Sequence, residues 1–200
     1  MAQLPVFETT RLVLHEITER DAPAYERHFI DYEVIGTMSH IVPWPYPENG
    51  VLEYIRGAIR PSQCVDQWFW GIFLKSVPDE LIGSIWLKRK GTPSNRGFWL
   101  GKKFWRKGIM TEAAQPITDY AFDVLGFEKL VLANAVGNAA SRQIKKKIGA
   151  AFQRTESATY VNPSYTAREI WELTKECWKA TRENSAMTHT GASPHHQRRL

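Results

Sequence analysis

Hydrophobic and polar positions change their period along the chain, and each change marks an element. Arg11 to Ile17 (RLVLHEI) alternates like a strand, after which Asp21 opens a short helix with Ala22, Tyr25 and Phe29 on one face. Val42 to Pro47 (VPWPYP) is punctuated by prolines, which remove backbone donors and fix φ, so it predicts a rigid aromatic loop. Val51, Leu52, Ile55, Ala58 and Ile59 then recur at helical spacing. Gln67–Leu74 and Leu81–Lys88 are apolar runs of strand length joined by a polar turn with Pro78 and Asp79. Arg96–Leu100 adds a third run, which together predict an antiparallel meander.

Beyond residue 108 the period becomes helical. Ile109, Ala113, Ile117, Tyr120, Ala121 and Val124 share a face, and Gly126 is placed to end that helix. Leu130–Val136 reads as a strand, and Asn138 caps a second helix in which Ile144 and Ile148 point inward and Gly149 ends the turn. Strand-like segments over 152–161 and 168–174 flank the turn at Asn162, Pro163 and Ser164. The chain has no internal repeat and no dinucleotide-binding glycine fingerprint. The expected architecture is α+β (mixed α/β), a sheet with helices on both faces, in a single domain over residues 1–180. The polar residues 181–200 read as a disordered tail, with His195 and His196 part of it rather than metal ligands.

Composition narrows the function classes. The 200 residues are 43% hydrophobic and 24% charged, ordinary values for a soluble domain. No apolar run approaches the ~18 residues of a membrane helix, and no basic-then-apolar leader opens the chain. Cys64 and Cys177 form neither a metal-binding spacing nor a disulfide framework, so a reduced, cytoplasmic setting without metal is expected. Charge is uneven: residues 1–50 carry 3 basic against 8 acidic side chains, and residues 101–150 carry 9 against 4. The basic block holds two tight clusters, Lys102/Lys103/Arg106/Lys107 and Arg142/Lys145/Lys146/Lys147. Two local clusters suit a small anionic ligand better than a polyanion, and the plain alternative is a pair of solvated lysine-rich faces. Trp86, Trp99 and Trp105 lie among basic residues, yet they fall on strand patterns and no nucleic-acid motif accompanies them, so neither nucleic acid nor membrane is an expected partner.

The stretch GKKFWRKGIMTEA, residues 101–113, puts the first cluster directly before a helix start. A nucleotide-triphosphate loop is a weak match: Gly97 and Gly101 are one residue too close, and a second lysine replaces the hydroxyl that would meet magnesium. A helix start preceded by glycine remains an anion site, because its first N–H groups lack internal partners, the dipole is positive there, and Gly108 lets a phosphate approach.

These residues resemble the acetyl-CoA-binding motif of the GCN5-related N-acetyltransferase (GNAT) superfamily, and most closely its RimJ/RimL-like branch. The resemblance rests on Gly97 to Ala113, on Asn138-Ala-Ala-Ser141 with Lys147-Ile-Gly149 downstream, on Thr9 to Leu14 with Thr18 to Asp21, and on the proline-aromatic loop, Ile82-Gly-Ser84 and Trp171-Glu-Leu-Thr174. It covers about residues 8–178 in the correct order. It implies a mostly antiparallel sheet splayed at the strands corresponding to 98–100 and 130–136, with pantetheine lying in the splay. Trp99 and Leu100 would then contact pantetheine through their main chains. Arg106, Lys107, Gly108, Ile109, Met110 and Thr111 would cradle the pyrophosphate. Asn138 would hydrogen-bond the pantetheine arm or the cofactor backbone, and Arg142 and Lys145, with Lys146, would reach the 3′-phosphate. The implied reaction moves an acetyl group from acetyl-CoA, a co-substrate, to a primary amine, either a protein N-terminal α-amine or a small molecule. An N–H near Leu100 would stabilise the oxyanion and Ser141 would protonate the departing sulfur; its plain alternative role is to finish a helix turn. A sheet-mediated homodimer is compatible with the resemblance.

Several positions depart from the pattern. Arg106 stands where glycine is usual, Met110 where a small residue is usual and would narrow the loop, and Ala150 where Phe is usual, with Phe152 expected to fill the space. Lys145 aligns with a tyrosine acid used elsewhere in the superfamily, and that role is not carried over. No general base is evident: Asn95 replaces a common carboxylate, Glu112 suits the helix dipole as well as catalysis, and His40 is a lone loop imidazole. The missing base leaves a second reading, a non-catalytic CoA-binding or regulatory protein on the same fold.

Overall fold

A computed structural model describes residues 3–90 and 94–190, with the side chains of 185–190 outside the description. Its eight strands are β1 (Phe7–Glu8), β2 (Leu12–His15), β3 (Gln67–Leu74), β4 (Val77–Lys88), β5 (Arg96–Leu100), β6 (Lys129–Ala135), β7 (Ala151–Ser157) and β8 (Ala167–Thr174). They form one sheet in the order β1-β2-β3-β4-β5-β6-β8-β7. All neighbours are antiparallel except β5 and β6. The helices are α1 (Ala22–Phe29), α2 (Tyr32–Ile35), α3 (Gly50–Tyr54), α4 (Arg60–Ser62), α5 (Ile109–Asp123), α6 (Ala139–Lys147) and α7 (Lys175–Thr190), with a π turn, Ile55–Ile59, joining α3 to α4.

Because β3 and β4 are covered on both faces, they read as continuous apolar runs, and their alternate residues feed two cores. Trp70, Ile72, Ile82, Ile85 and Leu87 pack with Ile109, Ala113 and Ile117 of α5 on one face. Phe69, Phe73, Leu81 and Trp99 pack on the other with Tyr25 and Phe29 of α1 and Ile55 and Ile59 of the π turn. The expected α+β layering with helices on both faces is thus observed, as are glycine ends at Gly126 (φ +67°) and Gly149 (φ +82°), left-handed positions that a side chain would strain.

Two expectations need correction. Phe152 does not fill the space beside Ala150: it is half exposed and packs edge-on against Trp171 at 5.5 Å between ring centroids. Helical structure continues past residue 181 to Thr190, because Trp178 anchors α7 by burying its ring and donating its Nε1–H to Asp119 at 2.8 Å. Residues 191–200, including His195 and His196, lie outside the described residues.

Candidate functional site

The parallel pair β5/β6 holds together at a single register position, Arg96 with Leu132, whereas β5 pairs with β4 from Arg96 to Leu100. Asn95 closes the apex: its N–H donates to Val131 O at 3.0 Å, and its Oδ1 accepts from Val131 N at 2.8 Å. From there the strands part, leaving a wedge-shaped gap. Gly101 N donates to Ile82 O at 2.9 Å, so by strand alternation the odd-numbered residues of β5 bond to β4 and the main chains of Phe98 and Leu100 face the gap. The main chain of Trp99 therefore does not face it, contrary to the resemblance. A Cβ built on Gly83 of β4 would stand 2.6 Å from the Trp99 carbonyl, and the Trp99 indole is buried against Tyr25 and Phe29. Leu100, by the same alternation, turns its main chain to the gap. Its carbonyl accepts from Trp105 Nε1 at 2.7 Å.

The gap opens toward the start of α5. Its first backbone bond runs from Glu112 N to Gly108 O at 3.0 Å, which leaves the N–H groups of Ile109, Met110 and Thr111 without helical partners. Gly108 adopts φ +74°, and a Cβ there would meet only Arg11 Nη2 at 3.5 Å, so the approach is open. Arg106 is also left-handed (φ +61°), the physical reason a glycine is favoured at that position. Arg106, Lys107 and Gly108 are exposed, ready to meet an anion. Met110 does not narrow the loop, because its side chain, like that of Ile109, is buried in the α5 core.

Arg11 straps this loop to β2. Its Nη1 donates to Lys107 O at 2.9 Å, while its Nε and backbone N donate to Glu112 at 2.7 and 2.8 Å. Thr9 Oγ1 donates to the same carboxylate at 2.6 Å. Burial pushes the Glu112 carboxyl up, but these hydrogen bonds and the Arg11 charge outweigh it and hold the group below its ordinary range. A fully engaged, readily ionised carboxylate is a fixture of the loop and a poor base. The other half of the basic cluster faces elsewhere: Lys102 pairs with Glu33, and Lys103 with Glu80 at 3.0 Å.

Across the gap, Asn138 caps α6 by accepting from Ser141 N at 3.0 Å. Ser141 is buried, and its Oγ accepts from Lys145 Nζ at 2.8 Å. Lys145 is itself only 1% exposed, with its ammonium 5.9 Å from the Phe98 ring on β5. Its expected contact with a 3′-phosphate is therefore corrected: the inward face of α6 runs through Ser141, Lys145 and Ile148, and the ammonium lies beneath the gap rather than in solvent. Arg142 is also committed, forking onto Glu169 of β8, where Oε2 accepts from its Nε at 3.1 Å. Lys146 and Lys147 remain exposed.

Sequence reasoning missed the polar layer under α6. Buried Glu169 accepts from Asn134 at 3.0 Å and Trp171 at 3.2 Å besides Arg142. Burial raises its carboxyl, and these three donors overcome that and keep it ionised. Arg96 is 3% exposed, donates to Thr118 Oγ1 at 3.3 Å, and has Nε and Nη2 unpartnered. Burial pushes its guanidinium down to about 10, so it remains cationic at neutral pH. The signals existed: a charged residue opening an apolar strand, and a lysine four positions after a serine on an inward helix face. Also missed was His28, buried beside Gly101, with Nε2 2.6 Å from Glu80. The His28 and Lys103 hydrogen bonds hold the Glu80 carboxyl below its ordinary range. His40 is exposed and bonded through Nδ1 to Thr159 at 2.7 Å. Among the described residues, no group of His, Cys, Asp and Glu is placed to hold a metal ion, and no helix is long and apolar enough to cross a membrane.

The family model of the Acetyltransferase (GNAT) domain matches residues 11–151. YdaF of Bacillus subtilis (strain 168), which carries the provisional name of a ribosomal N-acetyltransferase, is 32% identical over 84 residues, 42% of this chain and 46% of that protein. The match thus spans about half the length of that relative. YoaA of the same organism, an uncharacterized N-acetyltransferase, is 29% identical over 155 residues, 72% of this chain and 82% of its own. Among solved structures, RimL, a ribosomal alpha-N-protein acetyltransferase in complex with coenzyme A, superposes with a TM-score of 0.70 at 20% identity, covering 86% of this chain and 99% of that one. A ribosomal-protein-alanine acetyltransferase from Vibrio fischeri gives 0.67 at 16% identity over 87% and 98%. At these identities the superpositions establish a shared fold.

Proposed function

Because the chain belongs to the acetyltransferase (GNAT) domain family, we propose that it is an N-acetyltransferase moving the acetyl group of acetyl-CoA to a primary amine by direct attack on the thioester. The observation that carries this reading is the wedge between β5 and β6, which opens beside the unpartnered N–H groups at the start of α5. An extended pantetheine arm fits an unpaired strand edge, and a pyrophosphate fits a helix start flanked by Arg106 and Lys107. Asn138 and Ser141 stand at the start of α6, where they would border the wedge, and the exposed Lys146 on the same helix would take the 3′-phosphate.

Catalysis then rests mainly on alignment. Holding amine and thioester together supplies much of the acceleration, and the Leu100 N–H, fixed in the sheet, suits the developing oxyanion. Ser141 protonates the departing sulfur. The acidic first fifty residues contribute α1 and α2, which favours a cationic acceptor, whether a protein N-terminus or a small amine. The engagement of Glu112 favours the rival reading, a CoA-binding protein without turnover.

Calorimetric titration with acetyl-CoA, with ATP and 3′-dephospho-CoA as controls, tests the cofactor. Micromolar binding weakened by loss of the 3′-phosphate is expected, and equal binding of ATP would sink the assignment. Thiol release from acetyl-CoA in the presence of N-terminal peptides, spermidine and free lysine then separates the enzyme from the binding protein. Absence of thiol release with any amine despite tight binding would favour the latter.

A further inference from the structure

Lys145 is a buried ammonium whose bonding serves nothing in the fold that an apolar side chain would not serve better. It is held by Ser141 Oγ at 2.8 Å and more weakly by Ser141 O at 3.5 Å. The charges that face it are Arg96 on β5 and Glu169 on β8. Glu169 is already shared among Arg142, Asn134 and Trp171, while Arg96 has two unpartnered nitrogens. The layer between α6 and the gap therefore holds more positive charge than its single carboxylate neutralises. Such a layer is costly to fold and complementary to an anion that appears at the gap.

We infer that Lys145 is the proton reservoir for the departing thiolate, acting through Ser141 as a positioning and relay partner. This deepens the acyl-transfer reading and rests on it. When the amine nitrogen bonds to the thioester carbon and the C–S bond breaks, the bonding pair stays on sulfur. The Ser141 hydroxyl proton passes to that sulfur, forming S–H, and an Nζ proton of Lys145 passes to Ser141 Oγ. Lys145 is left neutral and regains a proton through solvent, which receives the one lost by the amine. The step is redox-neutral and needs no further reactant. The geometry supplies its direction: Ser141 Oγ accepts from Lys145, so its own hydrogen is free to be donated outward. Burial first, and the neighbouring Arg96 second, push the Lys145 ammonium down to about 7, partly countered by Glu169, which makes it a willing donor near neutral pH.

The test compares wild type with Lys145→Met and Lys145→Arg, using acetyl-CoA and whichever amine of the panel above releases thiol fastest. Acetyl-CoA affinity serves as the control for folding and binding. Lys145→Met is expected to bind acetyl-CoA within about threefold of wild type while kcat falls roughly 10- to 100-fold, at or below the low end of general-acid effects because Ser141 itself remains. The wild-type kcat should decline as pH rises past about 7, and this limb should vanish in Lys145→Met. Lys145→Arg keeps a positive charge beside Ser141 but does not release its proton, so it should stay slow and lack the limb near pH 7, and recovery of the wild-type rate by it would overturn the relay. A Lys145→Met enzyme with wild-type kcat and an unchanged pH profile would overturn the inference while leaving acyl transfer intact. A wild type that binds acetyl-CoA but never releases thiol would overturn the acyl-transfer reading and this inference with it.

Discussion

The two basic clusters look alike in the sequence, four cations within six residues each, yet the fold treats them in opposite ways. In the first, every charge stays at the surface: Lys102 pairs with Glu33 of α2 and Lys103 with Glu80 of β4, and Arg106 and Lys107 ring the helix start. The second is cut by helical geometry. Arg142 is drawn to a buried carboxylate, Lys145 goes under the helix, and Lys146 and Lys147 face solvent. The difference teaches that a run of like charges reports local composition, whereas its chemistry depends on the period of the element that carries it. A loop presents its cations together; a helix distributes them around its axis.

The largest expected effect comes from removing the carboxylate that makes the second cluster tolerable. Glu169→Leu should cost about 3 kcal/mol, because it strands three buried or half-buried donors. Urea unfolding measures this, and a cost below about 1 kcal/mol would mean the layer is not a coupled network. Next is the sign of the Lys145 contribution. Its folded value of about 7 lies below its ordinary 10.5, so between those values the unfolded chain holds a proton that the folded chain lacks. Stability due to this group therefore rises with pH across that window, and the penalty is fully present below about pH 7. Lys145→Met should melt higher than wild type by on the order of 5 °C at pH 6, with a smaller margin at pH 9. Equal margins at both pH values would mean the lysine is not titrating in the core.

The first cluster should respond differently. Arg106→Gly relieves a left-handed side-chain position, so it should leave stability unchanged or raise it by up to about 1 kcal/mol, part of the gain being lost to the greater freedom of the unfolded glycine. The same variant should bind acetyl-CoA about fivefold more weakly, the loss of one exposed charge contact. Calorimetry and urea unfolding on one preparation read both. Smallest of all, Lys147→Ala should shift stability by no more than about 0.5 kcal/mol, as an exposed charge away from any partner does. A larger shift would mean that the solvent-facing half of the second cluster is also structural.

These contrasts mark what the sequence made legible. Hydrophobic period located β2 through β6, α5 and α6, because amphipathic spacing is a local property. Gly108, Gly126 and Asn138 announced their turns and cap through residue chemistry alone. The apex at Asn95, the strap from Arg11 and the inward turn of Lys145 depend on contacts between residues far apart in sequence, which no local pattern encodes. The α6 face was misjudged in a specific way. Ile144 and Ile148 suggested the inward stripe, but Ser141 and Lys145, also four apart, share the inner side with Ile148, and a lysine is discounted there by habit. Met110 was misjudged for the converse reason: a bulky residue beside a ligand loop need not point at the ligand once helix geometry directs it into the core. The continuation of α7 beyond residue 181 escaped composition, since a polar segment can stay helical when Trp178 ties its first turns to α5.

Arg11 sits 96 residues before the Lys107 carbonyl it holds. Through that grip, the order of the anion-side loop is inherited from the chain that enters β2. The entropy that a free loop would surrender when its ligand arrives has already been surrendered during folding. Ligand affinity at the start of α5 is in that sense partly written at the other end of the sheet. Loosening β2, with no change to any residue near the ligand, would weaken binding by returning motion to the loop.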